Sequence, residues 1–567
     1  MKNHFIVSFT LWLMVVLSSI NSQALQFQEL AHDPEAIARD LIAEYDSTNL
    51  PGGAVMVIHE GDIIFGESFG MANVAYGVPF EWSTPTNIGS TSKQFTAFAM
   101  LLLQDQEKLS LDDDIRQHIP ELPDFGEQVL LRHLIAHTSG YREYLNSIAM
   151  GGRWLTDNIR REEIIPLIQR QPSLQNTPGD SYNYNNTGYA LLAMVIERIS
   201  GEDFPDWMKK HLFEPLDMHN TIVISNPGQL IRGKAQGYSV GPDNQIVAVP
   251  DIHASMGAGG IYSTMEDLEK WIAHFHQPVL GHRDITDRMM KPYPFNSGEA
   301  SHYANGLIVG DLNGLHMVEH GGADAAHRSA FLMFPEIRGA VVVQTNNSRL
   351  PAQAMAIQLA EAFFADKMEL DDVSRELLAT RDVFVYEVEL FDEIAGRYEL
   401  EDAPGFVMEF TREEDKIYAQ ATGQPRFEIF ASSDSTFYLT VVEASITFHR
   451  NEAGEFDSMT LHQHGDHPAI RLTEPAWEPS AEELAEYLGL YFSEELEAFY
   501  TLALDDEGKL VLRHRRLRDI QLRAESKDQY TGGFPIMEMT FIRDEGGKVT
   551  GFKASSGRSF DIVFEKQ

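Results

Sequence analysis

The sequence predicts an α+β domain followed by two small antiparallel β-barrels. Two apolar strands near the start of the chain precede a buried helix, an order that differs from a repeating strand–helix–strand unit. Glycine and aromatic landmarks in the last third recur with a constant offset, which indicates an internal duplication. Both copies alternate apolar and polar residues in short strands separated by glycine turns, a pattern typical of small barrels.

Composition restricts the partners and the chemistry. The 567 residues suffice for three or four domains. With 85 acidic and 44 basic residues, the formal charge of −41 argues against nucleic acid and anionic membranes as partners. The absence of cysteine excludes a thiol nucleophile, a disulfide framework and a lipoprotein attachment site.

Residues 1–24 have the pattern of a secretory signal peptide. Lys2 provides the positive start, Phe5 to Leu17 is the apolar core, and Ser22 to Ala24 gives small residues at a cleavage site. The apolar stretch is too short to span a bilayer comfortably, although an uncleaved anchor is the alternative. We therefore expect an exported protein, periplasmic or secreted, with no stable membrane insertion after cleavage.

The mature chain is expected to begin with a helix and a hairpin. The spacing of apolar residues predicts a helix over Asp33 to Tyr45. Ala54–Ile58 and Ile63–Phe65 are predicted strands. In the turn between them, Gly61 can adopt a positive φ.

Ser90 and Lys93 form the first candidate catalytic pair. Ser90 lies just ahead of Phe95 to Leu103, an apolar run that predicts a buried helix, and Lys93 follows on the same helix face. An amine that is kept neutral by burial and like-charged neighbours can take the proton of a serine hydroxyl. Backbone N–H groups at the helix N-terminus can stabilise an oxyanion. Alone, this pattern is more typical of a capping serine followed by a solvated lysine, so motifs elsewhere must support the catalytic interpretation.

Leu131 to Tyr141 is predicted to contain a packed helix that ends at Thr138–Gly140. His133 and His137 within it have the spacing of two zinc ligands on a helix. Because no glutamate occupies the metalloprotease position between them, we do not expect a metal site.

A turn-rich loop, Pro178 to Tyr189, precedes the predicted helix Ala190 to Ile199. Tyr184 and Asn186 lie two apart, so an extended segment directs both side chains to one side. A cationic lysine nearby would lower the tyrosine's pKa and let it hold or relay a proton. An asparagine can fix the lysine and donate to a substrate carbonyl. The alternative is an aromatic loop that shields the core.

His320 follows a predicted strand that contains Leu315 to Val318. Two glycines after the histidine, on an edge strand, would allow close approach of a substrate backbone and leave the N–H of Ala323 available. The alternative for His320 is an ordinary surface histidine. Two further strands are predicted after it, Ser329–Phe334 and Gly339–Gln344.

Ser90-Thr-Ser-Lys93, Tyr184-Asn-Asn186 and His320-Gly-Gly322 occur in the order and spacing of the three motifs of penicillin-recognising serine hydrolases. The chain resembles the class C β-lactamase branch of that superfamily over about residues 30–365. The resemblance implies a β-lactamase/transpeptidase-like domain in which helices flank an antiparallel sheet. Three other segments share it: Leu131–Gly140, Gly259–Thr264 and Phe334–Glu336.

The resemblance also implies roles for the motif residues. Ser90 would be the acyl-enzyme nucleophile, with Lys93 and Tyr184 sharing the base role. Asn186 would orient Lys93 and the substrate amide. The backbone N–H groups of Ser90 and Ala323 would form the oxyanion hole.

The third motif departs from the β-lactamase pattern, which is typically Lys-Thr/Ser-Gly. Here His320 takes the lysine's place and Gly322 completes a His-x-Gly triplet, so the hydroxyl is lost and the fixed charge becomes titratable. Both residues are expected to bind or orient substrate. The change disfavours recognition of a β-lactam or terminal D-Ala carboxylate and is similar to the D-aminopeptidase and esterase members.

The duplication has an offset of 93 residues. The matching pairs are Gly396/Gly489, Tyr398/Tyr491, Phe437/Tyr530, Phe448/Phe541 and Phe456/Val549. We expect a catalytic domain over 25–370 and lipocalin-like barrels over 385–475 and 478–567. This architecture is similar to that of D-aminopeptidases, in which barrels shape the active-site entrance. The alternative is a pair of stabilising or carbohydrate-binding appendages.

We therefore expect an exported serine hydrolase, without metal or cofactor, that cleaves a small peptide, amide or ester, most plausibly as a D-aminopeptidase-like enzyme. The alternatives are a carboxylesterase, a β-lactamase or D,D-carboxypeptidase, and a non-catalytic protein that binds cell-wall peptide. The sequence leaves open the oligomeric state and whether a barrel loop reaches the active site.

Overall fold

The computed structural model describes residues 33–154, 157–226, 228–241, 245–251 and 256–369, and most of the barrels. In the barrels it describes 386, 388–401, 403, 406–413, 416–421, 426–431, 433–439, 445–451, 453–462, 466–472, 477 and 479–567. The predicted signal peptide over residues 1–24 lies outside these ranges. No helix among the described residues is long and apolar enough to cross a membrane.

The N-terminal domain contains ten helices and thirteen strands among its described residues. The helices are α1 (Pro34–Ala43), α2 (Lys93–Asp105), α3 (Leu131–Ile135), α4 (Tyr144–Met150), α5 (Ile164–Gln169), α6 (Asn186–Ser200), α7 (Phe204–Met208), α8 (Met265–His276), α9 (Ile285–Met289) and α10 (Ala352–Phe364). The strands are β1 (Gly53–His59), β2 (Asp62–Phe69), β3 (Met71–Asn73), β4 (Val78–Pro79), β5 (Thr86–Asn87), β6 (Ile222–Val223), β7 (Tyr238–Val240), β8 (Ile246–Ala248), β9 (Ile261–Ser263), β10 (Ile308–Leu312), β11 (Leu315–Asp324), β12 (His327–Phe334) and β13 (Gly339–Thr345).

A six-stranded antiparallel sheet with the order β10-β11-β12-β13-β1-β2 forms the centre of this domain. β1 lies between β13 and β2, and its alternate side chains face two cores. Val55 and Val57 face the layer that contains α1 and α10, whereas Ala54 and Met56 face the larger core with α2 and α6. The expected antiparallel sheet flanked by helices is therefore confirmed.

Local signals predicted the N-terminal elements well. The helix α1 is capped by Asp33, whose carboxylate accepts from Glu35 N at 3.0 Å. The hairpin β1–β2 turns through Glu60 and Gly61, at φ +54° and +91°. Gly201 ends α6 in the left-handed region, at φ +71°.

Two expectations about elements near the site were wrong. The helix α3 ends at Ile135 rather than continuing to Thr138, because His137 adopts φ +59°, which is incompatible with a helix. The strand that contains His320 is not an edge strand, since β10 pairs with its first half, Leu315 to Glu319. The half that begins at His320 extends beyond β10.

The predicted duplication is confirmed in the two C-terminal barrels. The first is a closed eight-stranded barrel, and the second is a nine-stranded sheet with the order β25-β24-β23-β22-β30-β29-β28-β27-β26. Their strands are β14 (Gly396–Leu400), β15 (Val407–Glu413), β16 (Lys416–Ala421), β17 (Arg426–Ala431), β18 (Thr436–Leu439), β19 (Ser445–Arg450), β20 (Phe456–His462), β21 (Asp466–Arg471), β22 (Gly489–Ser493), β23 (Ala498–Leu504), β24 (Leu510–Arg513), β25 (Ile520–Gln521), β26 (Arg523–Ser526), β27 (Gln529–Thr531), β28 (Glu538–Arg543), β29 (Val549–Ser556) and β30 (Ser559–Lys566). A short helix, α11 (Ala481–Tyr487), precedes the second barrel.

The matching tyrosines of the two barrels form the same hydrogen bond. Tyr398 Oη donates to Ile394 O at 2.8 Å, and Tyr491 Oη donates to Tyr487 O at 2.7 Å. In each barrel the acceptor lies four residues earlier, and both rings are fully buried. The repeat therefore preserves internal contacts as well as strand order.

The two barrels are attached differently. The apolar side chains of the second barrel are continuous with the larger core of the N-terminal domain, whereas those of the first barrel form a separate core. Arg142 pairs with Glu495 of the second barrel at 2.6 Å, and both side chains are buried. The first barrel pairs with the second through Arg397 and Glu525, which are partly exposed.

Candidate active site

Ser90 lies in a 3₁₀ turn, Gly89–Ser92, immediately before α2. The turn is held against the sheet: Thr91 Oγ1 donates to His320 O at 3.1 Å. At Gly89 a Cβ atom would lie 2.6 Å from Ala323 N, so only glycine allows this approach. The contacts fix Ser90 between the N-terminus of a buried helix and the free half of β11.

Lys93 is completely buried, and three oxygen atoms surround its amine. Nζ lies 2.8 Å from Asn186 Oδ1, 2.7 Å from Ala258 O and 3.2 Å from Ser90 Oγ. Burial holds the pKa of Lys93 well below its usual value, and the positive charge of Arg558 adds to this effect. A neutral amine has two donors and one lone pair. Asn186 and Ala258 accept from the two donors, which leaves the lone pair for the Ser90 hydroxyl.

The second motif contributes Tyr184 and Asn186 to the same site. Asn185 caps α6 by accepting from Gly188 N at 2.9 Å, so that Asn186 becomes its first residue. The Tyr184 ring lies 4.7 Å from Lys93 Nζ. The expected lowering of its pKa was wrong, because burial raises the pKa of Tyr184 and the neighbouring lysine is itself driven towards the neutral form. A protonated Tyr184 can donate its hydroxyl proton.

His137 positions the Tyr184 loop. Its Nδ1 accepts from Asn185 N at 3.0 Å, and its ring centroid lies 4.3 Å from that of Tyr184 and 4.5 Å from that of Tyr303. Burial holds the pKa of His137 well below its usual value. His137 lies two residues after the end of α3, and its left-handed backbone directs the ring into a cluster of tyrosines. No group of three or more potential metal-ligating side chains occurs among the described residues.

His320 of the third motif is buried, with 3% of its surface exposed, and is not a surface histidine. Its Nδ1 donates to Gly321 O at 2.7 Å, and its Nε2 accepts from Tyr303 Oη at 3.0 Å. Burial, reinforced by Lys93, lowers the pKa of His320 to about 3. The expectation of a titratable charge was therefore wrong, since the ring is neutral at ordinary pH and both nitrogen atoms have protein partners.

Gly322 serves a different contact from the expected one. A Cβ atom at Gly322 would lie 2.0 Å from Ile88 O and 2.3 Å from Ser329 Oγ, so the glycine admits the backbone that precedes Ser90. The predicted role of Gly322 in binding or orienting a substrate stays a prediction. Ala323, next along β11, is exposed beside Gly89, and its N–H remains the predicted partner of Ser90 N in an oxyanion hole.

Two groups close to Lys93 had not been predicted. Ala258 O belongs to a glycine turn in which the sequence indicated only a helix start further on. Glu143 is fully buried and accepts from Asn146 N at 2.8 Å as the cap of α4. Burial raises the pKa of Glu143, and Asn186 and Lys93 oppose that shift. The contact made by Ala258 could not be predicted, because every residue has a backbone carbonyl. Glu143 could not be predicted because a single glutamate after a turn is not a motif.

Arg558 was also missed, because it lies in the second barrel, in the turn between β29 and β30. Its Cζ lies 4.6 Å from the centroid of the Tyr184 ring. The backbone carbonyl of Arg558 accepts from Asn183 Nδ2 and Gln175 Nε2, each at 3.2 Å. A barrel loop therefore reaches the active site, a point that the sequence left open.

Together these groups can perform acyl transfer. A hydroxyl, an amine whose pKa is lowered by burial and a phenol whose pKa is raised by burial lie within one cluster at a helix N-terminus. The amine can accept the hydroxyl proton, and the phenol can donate one to a leaving group. This is the minimum set for a serine nucleophile that forms and resolves an ester.

Comparison with known proteins agrees with this chemistry. A family model described as Beta-lactamase matches residues 37–363, and one described as Domain of unknown function (DUF3471) matches residues 389–478. Penicillin-binding protein 4* of Bacillus subtilis is 24% identical over 74% of this chain and 94% of its own length. A D-aminopeptidase of Cereibacter sphaeroides is 25% identical over 84% of this chain and 86% of its own. The octameric penicillin-binding protein homologue from Pyrococcus abyssi has a similar fold, with a TM-score of 0.54 and 24% identity over 77% of this chain and 99% of that one.

Proposed function

The chain belongs to the Beta-lactamase family of serine hydrolases, and we propose that it is a D-aminopeptidase-like peptidase that acts through an acyl-enzyme on Ser90. One observation carries the proposal. The buried Lys93 amine lies 2.8 Å from Asn186 Oδ1, 2.7 Å from Ala258 O and 3.2 Å from Ser90 Oγ, and burial lowers its pKa. A buried amine in this state is a general base rather than a charged ligand.

The reaction follows from this arrangement. Ser90 Oγ attacks the substrate carbonyl carbon while its proton passes to Lys93 Nζ. The carbonyl oxygen becomes an oxyanion, which the backbone N–H groups of Ser90 and Ala323 stabilise. The C–N bond then breaks as the leaving nitrogen receives a proton through Tyr184. Water attacks the resulting ester with Lys93 as base, releases the acid and restores Ser90.

The preference for a D-aminopeptidase has two supports. The third motif is His-x-Gly, and His320 carries no charge with which to hold the carboxylate of a β-lactam. The match to a named D-aminopeptidase extends over 84% of this chain and 86% of that protein. A substrate panel should therefore contain D- and L-alanine amides, a p-nitrophenyl ester and a β-lactam.

Labelling of the nucleophile tests the mechanism directly. We expect a fluorophosphonate probe to add one adduct to the wild type and none to Ser90→Ala, as measured by intact-protein mass spectrometry. Ser92→Ala is a matched control, since Ser92 is a buried serine two residues away. Turnover of D-alanine amide should fall at least about 1,000-fold in Ser90→Ala and in Lys93→Met, and less than about threefold in Ser92→Ala.

The panel separates the alternatives. Turnover of the ester alone would replace the peptidase assignment with an esterase, and preferential turnover of the β-lactam would replace it with a β-lactamase. Equal labelling of wild type and Ser90→Ala would contradict the proposed nucleophile.

We also infer that the protein is exported. The support is the pattern of residues 1–24, a positive start, an apolar core and a small-residue cleavage site. Expression of the full chain in a bacterial host and N-terminal sequencing of the periplasmic fraction test this. A mature N-terminus near residue 25 is expected, and an uncleaved cytoplasmic product would contradict it.

A further inference from the structure

The turn between β29 and β30 is rigidly attached to the catalytic domain. We call its residues Ser556–Phe560 the docked hairpin. Ser559 Oγ donates to Glu143 O at 2.9 Å and lies 3.0 Å from Ser147 Oγ. The next residue, Phe560, donates its backbone N–H to Gln175 Oε1 at 3.2 Å. The docked hairpin therefore contacts two separate segments around the active site.

The backbone of Arg558 is fixed and its side chain is available. Its carbonyl accepts from Asn183 and Gln175, whereas its side chain is exposed and lies over the face of the Tyr184 ring. Besides that ring, the guanidinium has no hydrogen-bond or ion-pair partner among the described residues. An arginine in this state offers a planar, permanent charge with its donors unused.

The rest of the site does not provide such a charge. Burial drives Lys93 towards the neutral form, and His320 is neutral with both nitrogen atoms engaged. The cation that β-lactamases carry in the third motif is therefore missing from β11, while Arg558 brings a cation to the same site from another domain.

The position of Arg558 beside Tyr184 indicates which part of a substrate it meets. In the proposed reaction, the leaving nitrogen receives its proton through Tyr184, so the leaving group must lie near that hydroxyl. A carboxylate on the leaving residue then comes within reach of the guanidinium stacked on the same ring.

We propose that Arg558, held over Tyr184 by the docked hairpin, binds the carboxylate of the leaving amino acid and selects substrates whose leaving group ends in a free carboxylate. This inference rests on the proposed acyl transfer at Ser90. It narrows the substrate class to dipeptides and other short acyl compounds with an anionic leaving group. A dipeptide with a free N-terminus satisfies both this requirement and the aminopeptidase assignment.

Two matched pairs of substrates test the inference. The first pair is D-alanyl-glycine and D-alanyl-glycinamide. The second is the acetyl esters of 4-hydroxybenzoate and 4-hydroxybenzamide, which need no amidase activity. For the wild type we expect kcat/KM to favour the carboxylate member about 10- to 100-fold, the range of a charged hydrogen bond.

Arg558→Gln should remove this preference by lowering kcat/KM for the carboxylate member. On the plateau of the pH profile, kcat/KM for the amide member should change less than about threefold. Because the anchoring contacts of Arg558 involve its backbone, the substitution leaves the docked hairpin attached. Arg558→Lys should retain part of the preference, since lysine keeps the positive charge but cannot bind a carboxylate through two parallel hydrogen bonds. Lys553→Gln is the control. It removes a positive charge from an exposed site on β29, the strand before the docked hairpin, where Lys553 pairs with Asp561.

The outcomes separate the two proposals. Equal kcat/KM for both members in the wild type, or an unchanged preference in Arg558→Gln, overturns the inference and leaves the hydrolase intact. Turnover of the esters without the peptides overturns the peptidase assignment, while the ester pair still decides the role of Arg558. A folded protein that turns over neither pair overturns both.

Discussion

The two C-terminal barrels share a fold and differ in what they touch. Each begins with a glycine at positive φ and buries a tyrosine that bonds four residues back. The second barrel shares its apolar core with the catalytic domain and reaches Tyr184 through the docked hairpin. The first barrel has its own core, and its described ion pairs to other domains go to the second barrel.

The second barrel reaches the active site because of the residues in one turn rather than because of its barrel fold. Arg558 corresponds, at the 93-residue offset, to Gly465 in the first copy, which lies outside the described residues. At the same offset, the docking hydroxyls of Ser556 and Ser559 correspond to Gln463 and Asp466, so the first copy lacks both the cation and the hydroxyls. The two barrels share a fold, and a few residues in one turn bring the second barrel into contact with the active site.

The largest expected effect contrasts two glutamates of the second barrel. Glu495 pairs with buried Arg142 in the catalytic domain, and Glu525 pairs with partly exposed Arg397 in the first barrel. We expect Glu495→Gln to lower the free energy of unfolding by about 3–5 kcal/mol, because it leaves a buried arginine charge uncompensated. Glu525→Gln should cost about 1 kcal/mol or less. Urea denaturation of both variants measures the contrast.

Activity provides the second readout for this pair. Glu495→Gln should reduce kcat/KM as the second barrel loosens. Glu525→Gln should leave kcat/KM within about twofold, since Glu525 pairs with the first barrel rather than with the catalytic domain. Equal losses in both variants would contradict the separate attachment of the two barrels.

The second prediction concerns what the barrels share. Tyr398→Phe and Tyr491→Phe each remove one buried hydroxyl and its hydrogen bond to the backbone. We expect each to lower the free energy of unfolding by a similar amount, about 1–2 kcal/mol, because a carbonyl is left unpaired in both cases. Fluorescence-monitored unfolding compares them. A much larger cost at Tyr491 would mean that the shared core, rather than the repeat's own contact, sets its value.

The smallest effect is on the pH profile. Catalysis needs neutral Lys93, so kcat/KM rises with pH through the pKa of this amine, and the Arg558 charge helps to lower that pKa. Removing the charge in Arg558→Gln raises the pKa of Lys93, and the rising limb of the profile moves to higher pH. The shift should shrink in high salt, because Arg558 is exposed.

Lys553→Gln is again the control, and its profile should match the wild type. The measurement uses the neutral amide substrate, so that substrate binding by Arg558 does not enter. A rising limb that stays in place in Arg558→Gln, at low salt, would contradict the electrostatic link between the docked hairpin and Lys93.

Much of the fold could be predicted because its signals are local. Asp33 and Thr264 cap their helices, and Gly61 adopts the expected positive φ. Apolar runs identified α2 and α6. The errors arose where a distant contact overrode local preference. His137 ends α3 because its ring and Nδ1 are bound to the Tyr184 loop, an interaction that no window around α3 contains.

The sequence by itself determined the chemical identity of the site. Ser90, Lys93, Tyr184, Asn186 and His320 could be selected because each motif encodes a residue type at a fixed spacing, and the structure brings all five together. The constant offset of 93 residues likewise determined the duplication, since a repeat is a property of the linear chain.

Only the tertiary structure decided the pKa values of the site residues and which residue brings a positive charge to the site. The pKa values of Lys93 and His320 are set by burial, which depends on every segment packed around them. Arg558 lies over Tyr184 because two domains dock, and that contact joins residues that are far apart in the chain. Residue types and spacing specify which groups can react, whereas solvent exclusion and contacts between domains specify their charge and the substrates that they meet.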